Sequence, residues 1–124
     1  MSEIIDINVS AEMQSVAAAM EALGNETRLS VYTLLVPAGQ SGLTVGNIQE
    51  KLAIPASTLS HHISRLIHVG LVAKERQGRK LICRANYKRV EGVLSFLTRN
   101  CCVDGARLLA GQQKEPANRA RPLA

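Results

Sequence analysis

Three cysteines and one polar helix face hold most of the reactive chemistry in this 124-residue sequence. Cys101 and Cys102 are adjacent, and Cys83 stands apart. Three thiols do not make a disulfide framework; in a reducing compartment they are free, redox-active, or ligands for soft metals. The second concentration lies between Ser57 and His68, where Ser57, Thr58, Ser60, His61, His62, Ser64, Arg65 and His68 alternate with Leu59, Ile63, Leu66 and Ile67. Hydroxyl, imidazole and guanidinium groups on one side of a rod bond to phosphates and base edges. A wet but idle surface is the bland alternative, although an ordinary solvent face carries mixed charges and this one has no acid. His61 and His62 point about 100° apart on a helix and make a poor metal pair. No Ser/His/Asp set, carboxylate pair or glycine-rich phosphate loop accompanies these groups, and Gly70 and Gly78 read as turn glycines, so the chain is not expected to be an enzyme.

The elements that must position these residues emerge from periodicity. Met13, Val16, Ala17, Met20 and Leu23 mark a first helix over 11–23, capped by Ser10 and stopped by Gly24. Ala17, Ala18 and Ala19 leave little bulk, so a second helix can approach closely, which points to a partner. Asn25 caps a second helix over 26–36, with Leu29, Tyr32, Leu35 and Val36 inward, and Pro37 and the glycines at 39 and 42 break it. Thr44 caps a short third helix with Val45, Ile48 and Leu52 on one side. After the turn Ala53-Ile54-Pro55, a fourth helix over 56–69 places Leu59, Ile63, Leu66 and Ile67 behind and the polar set in front. Residues 71–76 and 80–85 read as strands around a basic, flexible tip formed by Arg76, Gln77, Gly78, Arg79 and Lys80. A last helix over 88–101 carries Val90, Val93, Leu94, Leu97 and Cys101, with Asn100 and Gly105 as stop signals. The organisation is an arm over 1–10, a folded domain over 11–105 and a flexible tail over 106–124.

Composition agrees with a small, mainly α domain. Hydrophobic residues make up 46% and aromatics only 2% (Tyr32, Tyr87 and Phe96), so the core is aliphatic and suits packed helices. Charge is divided unevenly: residues 1–50 hold one base against six acids, residues 51–124 fourteen bases against four acids. The net charge of +5 is thus concentrated in one half, as expected for a chain with one face for a polyanion. The acidic start lacks a secretion pattern and no apolar run suits a membrane helix, so a cytoplasmic protein without membrane contact is expected. Two short helices joined by a tight turn and followed by a basic hairpin make a winged helix-turn-helix, with the fourth helix suited to the DNA major groove. The expected DNA-binding residues are Ser57, Thr58, Ser60, His61, His62, Ser64 and Arg65 on that helix and Arg76, Arg79 and Lys80 on the hairpin.

The motifs carry a family resemblance over residues 11–102. ALGNETRL from Ala22 to Leu29, LTVGNIQEKL from Leu43 to Leu52, and STLSHHISRL from Ser57 to Leu66 followed by HVGLV from His68 to Val72 together resemble the ArsR/SmtB metal- and metalloid-responsive repressors. The resemblance implies a homodimer joined through the first and last helices, binding of double-stranded operator DNA, and release when an inducer binds. The sequence departs from two inducer sites of that family. Leu43, Thr44, Val45 and Gly46 replace a Cys-x-Cys site on the first helix of the DNA-binding pair, and the last helix offers Glu91 without a histidine.

What remains is Cys101–Cys102, which resembles the vicinal cysteine pair of the arsenic-responsive members. Thiolates select soft, thiophilic ions such as trivalent arsenic and antimony. A helix C-terminus disfavours an anion, so resting thiols that lose protons on metalloid binding are expected, with Arg99 and Arg107 nearby. Arsenite prefers three thiolates, the third from Cys83 if it comes near. If Cys83 is instead a small apolar residue of the hairpin sheet, two thiolates suit an organoarsenical such as methylarsenite. The rival readings are a thiol-redox repressor and, from another class, a winged-helix protein-interaction module.

Overall fold

The computed structural model describes residues 7–99, with side chains from residue 11. Five helices and three short strands run in the order α1 (Ile7–Leu23), α2 (Glu26–Ala38), a 3-10 turn (Gly39–Ser41), β1 (Leu43–Thr44), α3 (Val45–Leu52), α4 (Ala56–His68), β2 (Val72–Gln77), β3 (Lys80–Ala85) and α5 (Tyr87–Thr98). The strands form one antiparallel sheet in the order β1-β3-β2. This is a winged helix-turn-helix: α3 and α4 are the helix pair, β2 and β3 the wing. No helix among the described residues is long and apolar enough to cross a membrane.

The caps read from the sequence are present. The Asn25 side chain accepts the Arg28 backbone N–H at 3.0 Å, and the Thr44 hydroxyl accepts that of Asn47 at 3.0 Å, each satisfying a donor the first helical turn leaves open. Ala53 ends α3 in the left-handed region at φ 55°, and Gly78 turns the wing tip at φ 63°.

Several expectations are corrected. The first helix begins at Ile7 rather than Ala11; no Gly or Pro between these positions interrupts helical propagation. Ser10 therefore lies within α1 rather than capping it. The second helix runs through Pro37 to Ala38. A proline that late in a helix removes a single bond, and here on an exposed side of α2.

In α2 the buried face is Arg28, Val31, Tyr32 and Leu35, while Leu29, expected inside, is 46% exposed. The inward stripe takes its phase from Arg28, whose stem packs inside while its head finds polar partners. The expected hairpin is a three-stranded sheet because β1 joins it, pairing Leu43 with Cys83 and Thr44 with Ile82. Gly42 makes this approach feasible: its φ is +66°, and a Cβ there would lie 2.4 Å from the Cys83 carbonyl oxygen.

The core is Val16, Ala19 and Ala22 of α1, Val31 and Leu35 of α2, Ile48 of α3, Leu59, Ile63 and Leu66 of α4, then Leu71, Val72, Ile82 and Cys83. The small residues Ala19 and Ala22 let α1 lie close to α2 and α4, with which it is in contact. Arg89 secures the end of α4: its Nε donates to the Val69 carbonyl at 2.9 Å, and a terminal nitrogen donates to the Ser15 carbonyl at 2.9 Å and hydroxyl at 2.8 Å. The chain divides after Val93, within α5. In the first unit, Met13 and Met20 remain exposed on α1; in the second, Leu94 and Leu97 are exposed and the Arg99 guanidinium lies 5.1 Å from the Phe96 ring centre. The helix is described from Tyr87 to Thr98; its expected end at Cys101 lies outside the described residues.

Leu66 is fully buried beneath α4. Leu66→Ala is expected to lower unfolding free energy by about 2–5 kcal/mol, read by urea denaturation; a loss below about 1 kcal/mol would contradict this packing.

Candidate nucleic-acid interface

The two faces of α4 are sharply different. Leu59, Ile63 and Leu66 are buried with at most 1% exposure, whereas Ser57, Thr58, Ser60, His61, Ser64 and His68 are exposed. At 3.6 residues per turn, Ser57, His61, Ser64 and His68 lie opposite the buried stripe, and Thr58, His62 and Arg65 form one flank. The outer face therefore presents hydroxyls and imidazoles on a rod held from behind, the geometry the major groove admits.

The flank behaves differently: His62 and Arg65, both expected from sequence to contact DNA, also meet neighbouring helices. His62 is half-buried, and its Nδ1 lies 3.3 Å from a terminal nitrogen of Arg28. A guanidinium can only donate, so Nδ1 accepts and the ring proton sits on Nε2. Arg28 is nearly buried; its Nε donates to the Ala22 carbonyl at 2.7 Å and its other terminal nitrogen is 3.8 Å from Glu21. Arg65 donates to the other carboxylate oxygen of Glu21 at 2.6 Å. Glu21, Arg28, His62 and Arg65 thus form one polar cluster joining α1, α2 and α4. Sequence reasoning missed Glu21 and Arg28 because apolar periodicity identifies the back of a helix but not which polar flank meets a neighbour.

The wing supplies positive charge. Arg76, Arg79 and Lys80 are exposed, and no acid pairs with them among the described residues. Farther from the tip, Arg84 donates to Glu75 and to the Gln40 carbonyl, both at 2.6 Å; the Arg84 hydrogen bond, with its charge, holds the Glu75 carboxyl below its ordinary range. Arg79, Lys80 and Leu81 face Thr44, Val45, Gly46 and Asn47 across an open groove, so the basic tip adjoins the amino end of α3. Gly46 and Asn47 were not singled out from sequence; the Thr44 cap was the signal that could have found them.

The thiols separate. Cys83 is completely buried in the central strand of the sheet, and burial pushes its thiol up, against a smaller opposing effect of Lys74. Its burial matches the alternative of a small apolar residue in the sheet; service as a third ligand would require it to become deprotonated and reachable. Cys101 and Cys102 lie outside the described residues. Among the described residues no group of three or more His, Cys, Asp or Glu side chains is arranged to hold a metal ion.

Comparison with known proteins agrees with this geometry. Residues 23–75 match the helix-turn-helix domain family. The chain is 24% identical over 102 residues to the HTH-type transcriptional regulator YgaV of Escherichia coli, covering 82% of this chain and 99% of that protein. Among solved structures, it resembles an ArsR-like transcriptional regulator from Rhodococcus sp. RHA1 with a TM-score of 0.65 at 24% identity over 83% of this chain and 94% of that one. The homodimeric winged helix-turn-helix DNA-binding domain Mb0332 of Mycobacterium bovis gives 0.62 at 23%, covering 79% and 95%. A possible transcriptional regulator for arsenical resistance gives 0.57 at 24%, covering 75% and 94%.

The His62 ring has a measurable consequence. Burial, then the Arg28 and His61 charges, lower its pKa from the ordinary value. A folded-state pKa below the unfolded value means the unfolded chain binds more protons in between, so stability is complete above about pH 6.5 and falls as pH drops below it. The Tm is expected to fall as pH drops below about 6.5, and His62→Gln, which keeps an acceptor for Arg28 without titrating, to flatten that decline. An unchanged profile in the variant would place the proton uptake elsewhere.

Proposed function

We propose that this chain, which carries the helix-turn-helix domain and the winged fold of the ArsR-family regulators, is a cytoplasmic transcriptional repressor that binds operator DNA as a homodimer and lets go when trivalent arsenic occupies Cys101 and Cys102. The observation that carries the DNA reading is the acid-free outer face of α4, clamped behind by Leu59, Ile63 and Leu66 and flanked by an unpaired basic wing tip. On this reading Ser57, Ser60, His61 and Ser64 meet base edges and nearby phosphates, Thr58 reaches the backbone from the flank, and Arg76, Arg79 and Lys80 hold phosphates beside the site. A double-helical partner places the protein in the compartment that holds the genome. The exposed Met13 and Met20 of α1, and Leu94 and Leu97 of α5, give each of these helices apolar surface for a second copy to cover.

The inducer reading rests on the chemistry of the donor set. Adjacent thiols come shortly after the end of α5 at Thr98, and soft thiolates select arsenic over harder ions. Its support among relatives is the likeness to the regulator linked to arsenical resistance. Burial of Cys83 favours two protein thiolates over three, and with them an arsenical such as methylarsenite, whose third valence is carbon, over arsenite or antimonite. A dimer with paired sites and a coupling of about 1–3 kcal/mol per site would weaken operator binding substantially.

Binding to duplexes selected from random sequence tests the DNA reading. Arg79→Ala and Lys80→Ala are each expected to weaken all duplexes alike and to reduce the slope of log K against log salt by about 0.9. His61→Ala is expected to cost about 1–3 kcal/mol on the preferred sequence and little on others. Binding that is neither salt-dependent nor sequence-selective would leave a protein-interaction module instead. For the inducer, intact-protein mass spectrometry and DNA release are measured with methylarsenite, arsenite and peroxide. One arsenic per chain, release by methylarsenite at the lowest dose, and loss of both in Cys101→Ser are expected; release by peroxide alone would establish the redox alternative.

A further inference from the structure

Arg65 is the only arginine or lysine on α4, yet its guanidinium is occupied by Glu21. The Arg65 nitrogen to Glu21 oxygen distance is 2.6 Å, with the two side chains 44% and 63% exposed. We propose that Glu21 is a latch on the recognition helix: its carboxylate takes the place of a DNA phosphate at Arg65, so that binding must exchange one anion for the other. The inference rests on the DNA-binding reading above and names a specificity device within it.

Three features make the exchange workable. An ion pair this open to water is weak, so a phosphate of a well-seated duplex can displace it. The flank of α4 that carries Arg65 also carries the exposed Thr58 and adjoins the outer face, so Arg65 sits at the edge of the surface offered to DNA. Glu21 is not stranded when Arg65 leaves, because its second oxygen already faces the Arg28 guanidinium at 3.8 Å, itself fixed by the Ala22 carbonyl and His62. The carboxylate that lets go of Arg65 thus retains a buried cation beside it.

The effect of the latch is to discount random encounters. A chain with Arg65 free gains one more phosphate contact on every duplex, whatever its sequence, and such contacts carry no sequence information. Held by Glu21, the base contributes only where α4 is seated well enough to offer it a phosphate in the carboxylate's place. Because Glu21 lies in the last turn of α1, any shift of α1 along α4 changes the same exchange.

The test is binding of a mixed-sequence duplex by the full chain across a salt series, read by fluorescence anisotropy, with thermal unfolding of each variant alongside. Glu21→Gln is expected to tighten binding at low salt and steepen the log K against log salt slope by about 0.9. Glu21→Asp, which keeps the charge but is one methylene too short to hold Arg65, is expected to move the slope the same way and serves if the Gln variant folds poorly. Glu91→Gln, the same charge change on an exposed position of α5, is expected to leave the slope unaltered. Adding Arg65→Gln to Glu21→Gln is expected to restore the original slope. A Glu21→Gln slope no different from that of Glu91→Gln overturns the latch, as does a gain that survives loss of Arg65. Absence of any salt-dependent binding by the unaltered chain overturns the DNA reading itself, and the latch with it.

Discussion

A helix can be offered to a groove only if something grips it from behind. In this chain the grip is Leu59, Ile63 and Leu66, all essentially free of solvent contact, and full burial of each is worth about 1.5–3 kcal/mol. The three occupy a narrow stripe, so the remaining circumference of α4 is released from packing and can hold side chains chosen for what they bond rather than for what they fill. The rest of the fold answers this demand. α1 and α2 lie against the inner side of α4 and β2 meets it as well, while Arg89 fixes the carbonyl just past its end.

The same arrangement explains why a charge sits in the interior. Arg28 is only 8% exposed, and an unpartnered guanidinium there would be costly. It is met by a carbonyl, an imidazole nitrogen and, at longer range, a carboxylate. Lysine would offer a single point of charge, whereas the planar fork reaches all three in different directions. Since the three partners belong to the end of α1 and the middle of α4, Arg28 fixes their relative rotation more specifically than aliphatic contacts could. Hydrophobic burial sets how strongly these helices associate; the polar cluster sets their register.

Much of this is legible in the sequence. Asn25 and Thr44 are caps that each announce a helix without ambiguity, and the apolar spacing of α4 identifies its back to the residue. The failures share a cause. Hydrophobic patterning puts Leu29 inside and passes over Arg28 because it treats arginine as surface, although the stem of that side chain is apolar. Polarity groups His62 and Arg65 with Ser57 and His61, and only tertiary contact reveals that their flank also meets Arg28 and Glu21. The strand Leu43–Thr44 has two residues, too few to show alternation, and only Gly42 hints at a close backbone approach.

Cys83 shows most plainly how topology governs chemistry. In sequence it is a thiol like the others. In the fold it sits in the middle strand, paired on one side with Leu43 and on the other with Lys74, and the close passage of Gly42 across its carbonyl leaves the backbone little room to yield. Drawing its sulfur out to a ligand would open the sheet that carries the wing, so a third thiolate would disrupt the element proposed to hold the DNA backbone. An inducer satisfied by two adjacent thiols makes no such demand. On the proposed reading, sensing by Cys101 and Cys102 alone would leave the wing intact, and keeping that scaffold whole and preferring an arsenical that already bears carbon would be the same physical requirement.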